Sequence, residues 1–129
     1  ISAGYIQSHS INSHTIIENH PEIIFRAQAW ASGKSNVTII TGSWYNVKNN
    51  LSTYDGLFYD TFGDDDMQHF SSSLSSLVKS GGVTTWWNIL SEENNYYNIP
   101  NVTYDQYFVN PPPNNYFNYT TYYLPKCQL

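Results

Sequence analysis

Apolar and polar positions change their spacing along this chain, and each change marks a predicted element. Residues 1–20 (ISAGYIQSHSINSHTIIENH) set short apolar pairs among Ser, Asn and His, which predicts two extended pieces near 4–7 and 15–18. Pro21 ends that stretch, because proline has no N–H to give a sheet ladder. In 22–31, Phe25, Ala27 and Ala29 alternate with Arg26, Gln28 and Trp30. In 37–47, Val37, Ile39 and Thr41 alternate with Thr38, Ile40 and Gly42. A period of two predicts strands, and the turn formers of 32–36 (SGKSN) predict that these two are hairpin partners. A further strand is predicted over 56–61.

The period then lengthens. Met67, Phe70, Leu74, Leu77 and Val78 form one helical stripe in 64–80. Asp64, Asp65 and Asp66 stand where a helix dipole favours negative charge. Lys79 falls in the last turn, and Gly81-Gly82 supply a stop. Strands are predicted again over 83–90, 102–109 and 116–124. The connector 110–115 (NPPPNN) is held extended by its prolines. The pattern therefore predicts a β-rich fold, β-sandwich-like or α+β, with about six strands and one helix near 64–80. It divides the chain into an extended N-terminal segment, 1–20, and a single β-rich domain, 21–129.

Composition sharpens this picture. Only 12% of residues are charged, about half the usual share of a soluble domain, while 17% are aromatic and 12 are Tyr. Hydroxyls, amides and phenols must solvate the surface, which points to an extracellular or cell-surface setting. Arg26, Lys34, Lys48, Lys79 and Lys126 are the only Lys and Arg, against a net charge of −5. That excludes a phosphate-neutralising patch and hence nucleic acid, and it argues against docking on anionic lipid. No apolar run approaches the length of a membrane span. Cys127 is the single cysteine, so no disulfide closes within the chain; it reads as an incidental tail thiol. The start at Ile1 rather than Met predicts either removal of a leader or a trimmed chain.

Candidate chemistry is sparse. Sequons place possible glycans at Asn36, Asn50, Asn101 and Asn118. The run from Asp60 to Asp66 has carboxylates for a hard cation but lacks EF-hand spacing, and reads as a helix start. His9, His14 and His20 lack the company of a zinc motif, so no metal or other cofactor is predicted. Gly33-Lys34-Ser35 lacks the upstream glycine of a phosphate loop. In the pairs Trp86-Trp87, Tyr96-Tyr97 and Tyr122-Tyr123, one ring should enter the core and its neighbour face out, although Trp86-Trp87 reads better as a strand buried on both faces. No nucleophile or acid–base constellation assembles, so no enzyme is predicted and no catalytic residue is assigned.

Stretches such as 94–107 (NNYYNIPNVTYDQY) and 110–123 (NPPPNNYFNYTTYY) resemble, in composition, crenarchaeal exported surface proteins, including S-layer components and glycosylated pilus-like thread subunits. The resemblance implies a homopolymeric filament or coat subunit assembled by donor-strand complementation. A free sheet edge accepts such a strand, and Ile1, Tyr5, Ile11, Ile16 and Ile17 would be its inter-subunit anchors. The alternatives are a secreted sugar- or protein-binding module using exposed Tyr and Trp, a viral coat protein, and a secreted hydrolase using Asp64–Asp66 or Glu92-Glu93.

Overall fold

The computed structural model describes residues 2–61, 65–88, 91–110 and 119–129. Among them are six strands and four α-helices, a mixed α/β fold with more sheet than helix. The chain divides into two compact units, residues 1–50 and 51–129. No helix among the described residues is long and apolar enough to cross a membrane.

In the first unit, α1 (Ser2–Gln7) precedes β1 (His14–Glu18), α2 (Pro21–Ala31), β2 (Val37–Thr41) and a one-turn α3 (Trp44–Val47). β1 and β2 are parallel neighbours, in register from His14↔Val37 to Glu18↔Thr41. A parallel pair needs a crossover connection, and α2 is that crossover. The hairpin expected of 22–31 and 37–47 is therefore replaced by a β-α-β unit. Several features make 22–31 a helix. Pro21 sits at the first helical position, where its missing N–H costs nothing. Glu22 pairs with Arg26 one turn on, at 2.6 Å. Ile24, Ala27, Trp30 and Ala31 form the half-buried face, a spacing near 3.6 that also produces local alternation. Gly33, at φ +81°, follows the helix end. The region 4–7, expected to be extended, lies on α1. The strand expected through 47 stops at Thr41, and the chain coils into α3.

In the second unit, β3 (Tyr54–Tyr59) leads through a 3-10 turn, Asp65–His69, into α4 (Phe70–Leu77) and β4 (Val78–Trp86). β5 (Thr103–Phe108) and β6 (Thr121–Gln128) complete a sheet of order β3-β4-β6-β5. β3 and β4 are parallel, while β6 runs antiparallel to both β4 and β5. The helix expected to reach residue 80 ends at Leu77. Val78 turns straight into the sheet opposite Tyr54, as its branched side chain favours. Lys79 is thus a strand residue paired with Asp55 at 2.9 Å, not a helix cap.

The register slips so that Gly56 pairs with Val83, with 79–82 bulging out. Gly82 is required there: a Cβ would stand 2.7 Å from Val78 Cγ1 and 2.9 Å from two backbone carbonyls. The β4–β6 ladder ends at Thr84↔Cys127. Pro125 has no N–H to extend it, and the Thr85 hydroxyl instead donates to the Pro125 carbonyl at 2.7 Å. Phe70, Leu74 and Leu77 of α4 form the core with Tyr59, Val78, Trp86, Ile99 and Cys127.

Candidate functional site

In each unit, parallel neighbours bring two strand carboxyl ends to one edge, which is where open α/β sheets hold ligands. At the edge of the first unit, β1 ends in Glu18. Its Oε1 accepts the backbone N–H groups of Asn19 and His20, each at 2.9 Å. The carboxylate is thereby fixed at the turn into α2, beside the positive end of that helix. Its Oε2 has no hydrogen bond to the described residues. Beyond β2, the Gly42 N–H donates to the Glu18 carbonyl at 2.9 Å. Gly42 has φ +136°, and a Cβ would lie 3.2 Å from Val47 Cγ1, so the turn into α3 needs glycine. Trp44 follows, buried.

At the edge of the second unit, the Trp87 N–H donates to the Tyr59 carbonyl at 3.1 Å, and Asp60 follows Tyr59. Asp60 is largely exposed as a residue, yet the surrounding protein strips part of its carboxyl's hydration and raises its pKa. Behind it, Tyr59 stacks on Phe70 with ring centres 4.0 Å apart, and Tyr97 meets Tyr59, Phe70 and Trp86 edge-on. Buried Asn88 donates from its amide to the carbonyls of Glu92 and Tyr123, at 3.0 and 3.1 Å, tying the loop after β4 to β6. Further on, the Asn95 side chain closes a ring on Ile99: Nδ2 donates to the carbonyl at 2.7 Å, and Oδ1 accepts the N–H at 3.0 Å. A shallow cleft of about 260 Å³ opens here, lined by Gln68, Tyr96, Tyr97 and Asn98.

Of the residues singled out from the sequence, only Asp60 is one of these two carboxylates. Tyr5 is exposed on α1, its ring 4.9 Å from that of His9. Ile16 and Ile17 are half-buried in β1, and the Ile11 carbonyl accepts from Asn36 Nδ2 at 3.0 Å. Asn36 also accepts from Gln7 Nε2 at 2.7 Å. That donation leaves Gln7 Oε1 as the acceptor for His14 Nδ1 at 3.3 Å. Burial lowers the His14 pKa. Asn50 is exposed in a 3-10 turn, and exposed Asn101 occupies a left-handed turn position at φ +57°. Ile1, Asn118 and Asp64 lie outside the described residues.

Trp86 is buried and Trp87 exposed, so this pair is not buried on both faces. Glu92 and Glu93 are exposed on the loop after β4. Among the described residues no three His, Cys, Asp or Glu side chains gather as a metal set. Cys127 is no loose tail thiol. It is buried in β6, its Sγ donates to the Pro100 carbonyl at 3.3 Å, and burial raises its pKa. Sequence reasoning missed Glu18, Gly42 and the placement of Asp60. The signals were there: an apolar run closing on an acid just before a proline-initiated helix, and a second run, Leu57 to Tyr59, closing on Asp60.

Two parallel strand pairs, each joined through a helix, with Glu18 closing β1 and Asp60 following β3, define a mixed α/β protein. The chain belongs to the guanidinoacetate N-methyltransferase family, whose model matches residues 1–106. It is 32% identical over 94 residues to protein arginine N-methyltransferase 2 of Aspergillus oryzae, covering 66% of this chain and 22% of the relative. The protein of the same name from Yarrowia lipolytica is 28% identical over 119 residues, 82% of this chain and 25% of the relative. That from Kluyveromyces lactis is 29% identical over 99 residues, 70% of this chain and 24% of the relative. The chain thus spans about a quarter of the length of these curated relatives.

Membership of a methyltransferase family overturns the expected non-enzymatic filament or coat subunit, its likeness to archaeal surface proteins, and its self-polymerising partnership. The fold shows why the donor-strand reading fails: β1 is already paired, inside its own chain, with β2. Composition misled because it reports how a surface is solvated, whereas function resides in a few placed residues.

Proposed function

We propose that this chain is part of an N-methyltransferase that adds a methyl group to a guanidino nitrogen, using a nucleoside sulfonium donor such as S-adenosylmethionine. The observation that carries the reading is Glu18, a carboxylate held by two backbone N–H groups at a strand carboxyl end, with Oε2 left over. A carboxylate so placed suits the adjacent hydroxyls of a ribose, the pairing used at such edges by dinucleotide-binding folds. When bound, the donor supplies an electrophilic methyl carbon. Glu18 holds the ribose, and Gly42 lets the backbone after β2 turn without a side chain in the way.

In the second unit, Asp60 suits the acceptor. Its carboxylate pairs with a guanidinium, and its raised pKa makes it a better proton acceptor for the N–H the nitrogen sheds. The guanidino acceptor is chosen because the family is named for guanidinoacetate and the relatives for protein arginine. Titration calorimetry with S-adenosylmethionine tests the reading. Glu18→Gln should weaken binding by about 10- to 100-fold, the worth of a hydrogen bond to a charged group. Asp60→Asn should leave donor binding intact while lowering methyl transfer to guanidinoacetate by about 10²–10⁴-fold. Unchanged donor affinity in Glu18→Gln would sink the assignment.

A further inference from the structure

We infer that Tyr96 is the stacking platform for the planar cation of the acceptor, a specificity element that discriminates a guanidinium from an ammonium; the inference rests on the methyltransferase reading above. Tyr96 is 68% exposed, yet its backbone is held. The Asn95 side chain bonds both the N–H and the carbonyl of Ile99, and the Asn98 N–H donates to the Asn95 carbonyl at 3.0 Å. Asn98 takes the left-handed conformation, φ +52°, that closes this turn. Ile99, only 1% exposed, pins the far end into the core. The ring itself is braced by Tyr97, with centres 5.2 Å apart and planes at 87°. Tyr97 in turn is packed among Tyr59, Phe70 and Trp86.

An exposed aromatic on a clamped turn suits a ligand better than it suits folding, because a preorganised ring loses little freedom on binding. The chemistry of the cleft favours a flat, multi-donor cation. Gln68 and Asn98 line it beside the two tyrosines, and their amide oxygens are acceptors for N–H groups. None of these lining residues is cationic, and the exposed Glu92 and Glu93 precede Tyr96 on the same loop. Guanidinium stacks flat on an aromatic face and donates in its own plane, whereas an ammonium is a compact and more strongly hydrated point charge. Tyr96 would therefore act on affinity for the acceptor, with the proton chemistry left to Asp60.

The test titrates the protein with N-acetylarginine amide and with N-acetyllysine amide, following tyrosine ring signals by NMR, and measures S-adenosylmethionine binding on the same sample. The arginine probe should shift the Tyr96 ring and bind more tightly than the lysine probe. Tyr96→Phe should hold affinity within about twofold, and Tyr96→Leu should weaken it roughly three- to thirtyfold. Circular dichroism of both variants should match the parent, since so exposed a ring supports little packing. Tyr96→Leu binding the arginine probe as well as the parent does, or equal binding of the two probes, overturns the platform while donor binding leaves the methyltransferase reading standing. Arginine binding through Tyr96 without donor binding supports the platform and sinks the methyltransferase reading. A parent that binds neither overturns both.

Discussion

Residues 1–50 and 51–129 each build a parallel strand pair joined through a helix, but only the second unit encloses its pair. Among the described residues, Trp44 is the one buried hydrophobic side chain of the first unit, whereas the second buries Tyr59, Phe70, Leu74, Leu77, Val78, Trp86, Ile99 and Cys127. The crossover helices show the same contrast: α2 buries no residue, and α4 buries Phe70, Ser73, Leu74 and Leu77. The β-α-β frame is therefore enough to place a carboxylate at a strand end, while local stability depends on what covers the frame. Parallel sheets normally have both faces covered. A segment spanning about a quarter of its relatives' length carries one unit whose frame is complete and whose cover is thin.

The comparison breaks first at the core. Phe70→Ala, at a side chain 1% exposed, should cost about 3–5 kcal/mol and be seen as a lowered denaturation midpoint for β4 and β6. If the loss falls equally on β1 and β2, the units do not differ in the way described. Gly82→Ala comes next, at about 1–3 kcal/mol, because backbone carbonyls rather than a flexible side chain occupy the space. Native-state hydrogen exchange sharpens the point without mutation. Amides of β4 and β6 should outlast those of β1 and β2, since protection follows enclosure.

Acid should act on the two units with opposite sign. Burial holds the His14 pKa below 6.5, so the unfolded chain takes up its proton first and the first unit loses stability as pH falls through 6.5 and below. Asp60 has its pKa raised, so its contribution is greatest in acid and is lost as pH rises through the folded value. Asp60→Asn should accordingly raise the neutral-pH Tm slightly, and His14→Gln should flatten the acid limb. Melting curves from pH 4 to 8 separate the two. The smallest effect is expected of Lys79→Met, which removes an ion pair whose side chains are 49% and 87% exposed: at most about 1 kcal/mol, fading with salt.

The fold was legible where one local rule dominated. Phe70, Leu74 and Leu77 announce α4 by spacing, and the aromatic and β-branched residues of 103–108 mark β5 to within one position, whereas the strand expected over 116–124 shares only 121–124 with β6, whose second half, Pro125 to Gln128, carries no such residue. It was illegible where two rules overlap. Ile24, Ala27, Trp30 and Ala31 mark a helical face, but Phe25, Ala27 and Ala29 in the same ten residues mimic a strand, and the decisive cue was Pro21 as a helix starter rather than a strand breaker. Val78 belongs to the helical stripe by spacing and to β4 by pairing, and only Tyr54, distant in sequence, settles which. The site was less legible still. Glu18 and Asp60 matter by standing at carboxyl ends of parallel strands, a property of topology that no local pattern encodes.

Cys127 has a use beyond packing. A lone thiol, buried, protonated by its surroundings and held against the Pro100 carbonyl, is invisible to an alkylating reagent until β6 leaves the sheet. With no second cysteine in the chain, every alkylated molecule records one opening of the second unit. The rate of labelling is then a clock for that opening, readable by intact mass without any engineered probe, and it falls silent on motions confined to residues 1–50.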